Sequence, residues 1–224
     1  ALPICRYVGW CDPMTGEQSE GSKDRDTHAA GILREAYTDT NRLQHPRETV
    51  AILHHPGGCR WDNDILAERL TLLTKFYGHC LTIVEANNSG SEVMRLLQLS
   101  GVNLWRRQKR DDKNPGKILN TVGFQTNSAS KSQWVGELGR HIREQELVCL
   151  YSPAVSQFST FILNERGAGE AQGGAKDDFV TGIGLGLLAL PQGTRMAAPQ
   201  SIHVRPPQFN QMATVPSGHS GACT

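Results

Sequence analysis

The sequence lacks several features, and each absence removes a class of protein. No apolar run reaches the ~18 residues that a membrane-crossing helix needs, so no membrane span is expected. The N-terminus, Ala1-Leu2-Pro3-Ile4-Cys5-Arg6, has no basic segment leading into a long apolar one, so no signal peptide is expected. The 6 cysteines form no CxxC pair, and a chain of 224 residues needs no disulfide scaffold to hold a core. Reduced thiols in a cytoplasmic protein are therefore expected. The formal net charge is only +1, so affinity for a polyanion has to come from a local patch. An initiating Met is also missing, as expected of a processed or excised fragment.

What is present reads as one α/β domain. Short apolar runs at Tyr7–Cys11, Ala29–Leu33 and Thr49–Leu53 are separated by turn signals, Asp12-Pro13 and Pro56-Gly57-Gly58 among them. They predict three strands in an antiparallel meander. The period then changes. Ile65, Leu66, Leu70, Leu73 and Phe76 predict a helix over 62–77, closed by Gly78. Leu81–Val84 reads as a buried strand ending at Glu85, and Val93, Leu96 and Leu97 as a helix capped by Asn87, Asn88 or Ser89. Val102–Trp105 reads as a strand, Arg106–Lys117 as a basic loop, and Trp134, Val135, Leu138 and Ile142 as a third helix. Leu147–Leu150 reads as a further strand. The last helix, Phe179–Leu190, is apolar nearly all round and so expected to be buried. Its Gly182, Gly184 and Gly186 imply close backbone packing. From Pro191 onward the chain is rich in Pro, Gln and Ser, which divides it into a domain (1–191) and a tail (192–224).

Carboxylates stand where these elements begin or end. Asp12 ends the first strand, Glu85 ends the fourth, and Asp177-Asp178 open the last helix. If the first and fourth strands are neighbours, Asp12 and Glu85 meet, and the helix start supplies a third acid. Clustered carboxylates repel one another and call for divalent cations, and their hard oxygens suit Mg2+ or Mn2+. Each piece has a plainer reading: a turn at Asp12-Pro13, a solvated strand end at Glu85, and a helix cap at Asp177-Asp178.

Local strings carry a resemblance. Asp12-Pro13-Met14-Thr15-Gly16 with Lys23-Asp24-Arg25-Asp26 resembles the opening of the nuclease domain of viral (tailed-phage or prophage) large terminases. Val84-Glu85-Ala86-Asn87-Asn88-Ser89-Gly90 looks like that family's middle acidic motif. Gly123-Phe124-Gln125-Thr126-Asn127 with Lys131 is similar to a further block, and Gly174–Val180 to the closing motif. The match runs in order from Tyr7 to Leu190. It implies an RNase H-like mixed sheet, a meander plus parallel strands, flanked by helices. It further implies two-metal cleavage of double-stranded DNA during genome packaging in the host cytoplasm. Asp12, Glu85, Asp177 and Asp178 are then the catalytic metal ligands, with Asp26 an accessory. The implied partners are a terminase ATPase domain, the small terminase subunit and the portal. Lys176 stands where relatives carry His, which puts a histidine role in doubt here.

Other constellations are weaker. Arg106, Arg107, Lys109 and Arg110, with Lys131, are candidates for phosphate contact; a solvated basic loop is the alternative. Trp105 beside them fits a core position better than base stacking. His54, His55, Cys59, His79 and Cys80 match no structural zinc spacing, and no Cys sits in a nucleophile motif. Gly16–Lys23 has spaced glycines, but its order departs from a phosphate loop. Two rival readings remain: another RNase H-like nuclease of the resolvase or transposase type, and an inactive module that docks DNA or a portal.

Overall fold

A computed structural model describes residues 4–14, 27–54, 60–87, 89–110, 116, 118–164 and 169–197. The strands and helices run in chain order as follows. The first half holds β1 (Ile4–Asp12), β2 (Ala29–Arg34), β3 (Tyr37–Thr38), β4 (Gln44–His45), β5 (Arg47–Ile52), α1 (Asn63–Phe76), β6 (Leu81–Val84) and α2 (Gly90–Leu99). The second half holds β7 (Arg106–Arg110), β8 (Ile118–Val122), α3 (Ser128–Arg143), β9 (Leu147–Val148), α4 (Ser152–Thr160), β10 (Phe161–Leu163), β11 (Gly169–Ala171), α5 (Asp178–Ala189) and β12 (Thr194–Ala197).

β1 is apolar almost throughout because both of its faces are covered. It pairs antiparallel with β2, which pairs antiparallel with β5, giving the expected meander. The other edge of β1 is divided. Val8–Cys11 pair in parallel with Leu81–Val84 of β6, and Ile4–Tyr7 pair antiparallel with β12. β9 adds in parallel to β5 at the far edge. Side chains alternate across the sheet. Val8, Trp10, Ala29, Leu33, Leu81 and Ile83 pack against α5, with Trp134 of α3 and Ala154 of α4 in the same core. On the opposite face Cys11, Ala30 and Val84 pack against α1 and α2. The result is the RNase H-like architecture: a mixed sheet between helical layers.

α5 is buried over nearly its whole length. A Cβ on Gly182 would stand 2.4 Å from the Trp10 ring, and one on Gly184 would stand 2.4 Å from the Trp134 ring. These glycines therefore let two tryptophans lie against the helix backbone. Gly182→Ala is expected to lower the melting temperature. Overpacking costs about 1–3 kcal/mol, which outweighs the ~1 kcal/mol that alanine gains in helix propensity. Thermal unfolding that rises with this change would refute the packing account.

Several expectations are corrected. Val102–Trp105 is no strand; it makes a single bridge from Leu104 to Thr82. The first part of the basic stretch is not a loop: Arg106–Arg110 form β7, paired antiparallel with β8, while residues 111–115 and 117 lie outside the described residues. The strand expected over Leu147–Leu150 is only two residues long. α1 buries Leu66, Ala67, Leu70, Thr71 and Thr74, while Ile65 and Phe76 face outward. Its two threonines are tolerated inside because their hydroxyls donate to the helix carbonyls of Ala67 and Thr71. α3 buries His141 rather than Ile142, with the imidazole bonded to Glu146 at 2.8 Å. β12 lies beyond the boundary expected at residue 191 and belongs to the sheet. No helix among the described residues is long and apolar enough to cross a membrane.

Candidate active site

The parallel pairing of β1 with β6 sets Cys11 beside Val84, and the Glu85 N–H donates to the Cys11 carbonyl at 2.9 Å. Asp12 and Glu85 thus end neighbouring strands at the same edge. Both follow residues that face α5, Trp10 and Ile83, by two positions, so both face α5 as well. The first turn of α5 brings Asp178 to that edge, with Asp177 immediately before it. The four predicted acids, drawn from three separate segments, stand together. Asp26 lies outside the described residues.

Their electrostatics follow from the crowding. Asp12 is buried, and its carboxyl lies in hydrogen-bonding contact with that of Glu85. Burial, then the charge of Glu85, then those of Asp178 and Asp177, hold the Asp12 carboxyl well above the usual carboxylate range. Asp12 Oδ1 is buried and has no hydrogen-bond partner among the described residues. A buried carboxyl oxygen without a partner among the described residues, set among other carboxylates, fits a hard divalent cation, which would displace the proton.

The two aspartates at the helix start differ. Asp178 is buried, whereas Asp177 is half-buried and accepts a hydrogen bond from Lys131 Nζ at 3.3 Å. The Lys131 ammonium lies 5.7 Å from the centres of both the Trp134 and Phe161 rings. Asp177 makes no capping bond to its own helix, which removes the helix-cap reading for it. Gln157 of α4 supplies that bond instead, accepting from the Phe179 N–H at 2.7 Å. Lys131, a candidate for phosphate contact, pairs with one of the acids.

Polar residues absent from the sequence-based site hold its parts. Asn87 Nδ2 donates to Glu85 Oε1 at 3.2 Å and to the Thr126 carbonyl at 2.9 Å, fixing the glutamate from behind. The turn after Asp12 is fastened as well. The Met14 N–H donates to His28 Nδ1 at 3.1 Å, and Ser89 Oγ donates to the Met14 carbonyl at 3.1 Å. With Nδ1 accepting, His28 Nε2 donates to the Trp61 carbonyl at 2.7 Å, and burial pushes this imidazole down from its ordinary value. The one sequence cue to His28 was a polar residue placed directly before an apolar strand.

Of the basic candidates besides Lys131, Arg107 is placed against Phe124. Its guanidinium lies 5.4 Å from the Phe124 ring centre, and Phe124 bridges Glu85. Arg106 is exposed on the same strand, and Lys109 and Arg110 continue it. Trp105 is buried, in keeping with a core role. The zinc reading gains nothing: burial pushes the Cys80 thiol up to about 12, and His55 and Cys59 lie outside the described residues. The segment Gly16–Lys23 also lies outside them. A separate group, His141, Glu144 and Glu146, has donor atoms within 4.8 Å of one another. Arg47 and Arg140 already pair with its carboxylates, so it is an ion-pair network.

Sheet order and helix layers are those of the RNase H-like fold. The chain shares this fold with the nuclease domains of phage large terminases. The large terminase nuclease of thermophilic phage G20c, in crystals with bound magnesium, superposes with a TM-score of 0.57 at 15% identity, covering 82% of this chain and 81% of that one. The same protein with bound cobalt gives 0.56 at 15%, covering 82% and 81%. The Thermus phage P74-26 large terminase nuclease domain gives 0.54 at 16%, covering 83% and 80%. No protein-family model matches the chain. No curated protein matches it either.

Proposed function

We propose that this chain is the nuclease domain of a large terminase, an endodeoxyribonuclease that cuts concatemeric viral DNA during packaging. One observation carries the reading: carboxylates at the ends of β1 and β6 and at the start of α5 converge at one sheet edge around a buried Asp12 oxygen that has no partner among the described residues. The fold it shares with metal-bound phage nucleases adds support. Asp12, Glu85 and Asp178 would hold Mg2+ or Mn2+, with Asp177, tied to Lys131, beside them. Such ions, when bound, would supply an activated water and positive charge for the leaving oxygen of a phosphodiester. The chain's own residues do the rest. Asn87 keeps Glu85 aimed at Asp12, Gln157 frees Asp177 from its helix, and His28 with Ser89 holds the turn after Asp12. Lys131, Arg106, Arg107, Lys109 and Arg110 offer positive charge to DNA phosphates, contacts that carry no sequence information. Low sequence preference follows. In this reading the partners are duplex DNA, a terminase ATPase domain, the small subunit and the portal ring.

The test compares supercoiled plasmid with a four-way junction in Mn2+, Mg2+, Ca2+ or EDTA. Nicking and linearisation of plasmid in Mn2+ or Mg2+, and none in EDTA, is the expected result. A strong preference for the junction would replace the terminase reading with that of a resolvase. Binding without cleavage in every metal would replace it with a docking module.

A further inference from the structure

The transverse row of residues that contains the acids continues past them. Asp12 pairs with Ala29, and Gly31 pairs with Ile52 on the next strand. The Leu53 N–H donates to the Ala30 carbonyl at 2.9 Å, so the same register sets His54 opposite Ala29. Phe124, Glu85, Asp12, Ala29 and His54 therefore follow one another across the sheet edge. In-register residues face the same side, and Ile52, two before His54, packs against the core under α5. His54 thus faces the side on which the acids stand. At ~4.8 Å per strand it lies about 10 Å from Asp12.

The imidazole is exposed but held. Its Nδ1 shares a hydrogen bond with the Tyr151 hydroxyl, and the two rings meet edge-on with centres 5.4 Å apart. Tyr151 in turn packs at 5.3 Å on Phe179, the residue after Asp178. The position of His54 is therefore coupled mechanically to the helix turn that carries the third acid. Nε2 makes no hydrogen bond among the described residues. In the tautomer whose Nδ1 accepts from the Tyr151 hydroxyl, Nε2 carries the ring hydrogen. In that tautomer Nε2 is a donor on an exposed ring about 10 Å from the cluster of anions, placed to meet an anionic oxygen that the cluster alone would repel. Duplex DNA offers a phosphate every ~3.4 Å of axis on each strand, so a donor about 10 Å from the cleavage centre meets the same strand within about three phosphates.

We infer that His54, oriented by Tyr151, is a substrate-positioning contact to a DNA backbone phosphate flanking the one that is cut. It acts on the β5 side of the acids, across β2 from Asp12. The inference rests on the proposed nuclease reading. It is tested with the full chain in a Glu85→Gln background, by equilibrium binding of a short blunt duplex of mixed sequence, and with Glu85 restored, by cleavage kinetics. His54→Ala is expected to weaken binding and raise KM roughly tenfold, as for one hydrogen bond to a charged group, with little change in kcat or melting temperature. Tyr151→Phe, which keeps the ring on Phe179, is expected to give a smaller loss, and His54→Arg to restore binding. If the wild type cleaves and His54→Ala binds and turns over as the parent does, the contact is refuted and the nuclease reading stands. If the wild type never cleaves but His54→Ala still weakens binding, the nuclease reading falls and the contact stands.

Discussion

Glu85→Gln is expected to melt at a higher temperature than the wild type in EDTA at neutral pH, and to lose cleavage. The stability gain comes from the Asp12–Glu85 contact. Burial, and then Glu85, raise the Asp12 carboxyl well above its ordinary 3.8, so the folded, metal-free protein binds a proton that the unfolded chain has released. Between 3.8 and the raised value the folded state holds more protons, and stability falls as pH rises through that window. At neutral pH the cluster therefore works against the fold. Glutamine keeps the shape and the Asn87 contact while removing one of the charges. The expected gain is on the order of 2 kcal/mol, or several degrees for a chain of this size. The wild type should also gain more than the variant from mild acidification, because burial, Asp178 and Asp177 still raise Asp12 once Glu85 is gone. Two groups act the other way: the His141 hydrogen bond holds Glu146, and the His45 hydrogen bond holds Asp39, below the usual range. The loss of cleavage is expected to be about a thousandfold or more, because a group that holds charge at the reacting phosphate is gone. A variant that melts lower than the wild type in EDTA would contradict the electrostatic account.

The second large effect separates the two adjacent aspartates. Asp178 is buried and weighs more on Asp12 than Asp177 does, and Asp177 is already paired with Lys131. Asp178→Asn is expected to reduce the initial nicking rate as severely as Glu85→Gln. Asp177→Asn should stay within roughly tenfold of the wild type, the cost of disturbing a neighbour of the site. The opposite ranking would make Asp177 the third ligand and Lys131 its competitor.

The acids were legible because each stands where an apolar pattern stops. Asp12 and Glu85 follow buried runs, and Asp177-Asp178 precede a helix with no polar face. The residues that hold them were not legible, because their partners are remote in sequence. Lys131 reaches Asp177 across 46 positions, Asn87 reaches Thr126 across 39, and Gln157 reaches Phe179 across 22. Local periodicity carries no trace of such pairs. The β7–β8 pair was hidden for a related reason: Arg106–Arg110 has no apolar alternation, and its strand exists only through pairing with Ile118–Val122. β12 was read as tail because Thr194–Ala197 is barely apolar. It is recruited because β6 covers only Val8–Cys11, leaving the edge of Ile4–Tyr7 open. In α3 the spacings to His141 and Ile142 were equally helical, and a histidine with a bound glutamate took the inner position.

The most direct measurement of the central claim is a time course of supercoiled plasmid conversion by wild type and by Asp12→Asn in Mn2+, with EDTA added midway. The account predicts nicked and then linear DNA from the wild type, an immediate halt on chelation, and no conversion by a variant that is folded. Cleavage by Asp12→Asn at the wild-type rate, or cleavage that continues in EDTA, would contradict it.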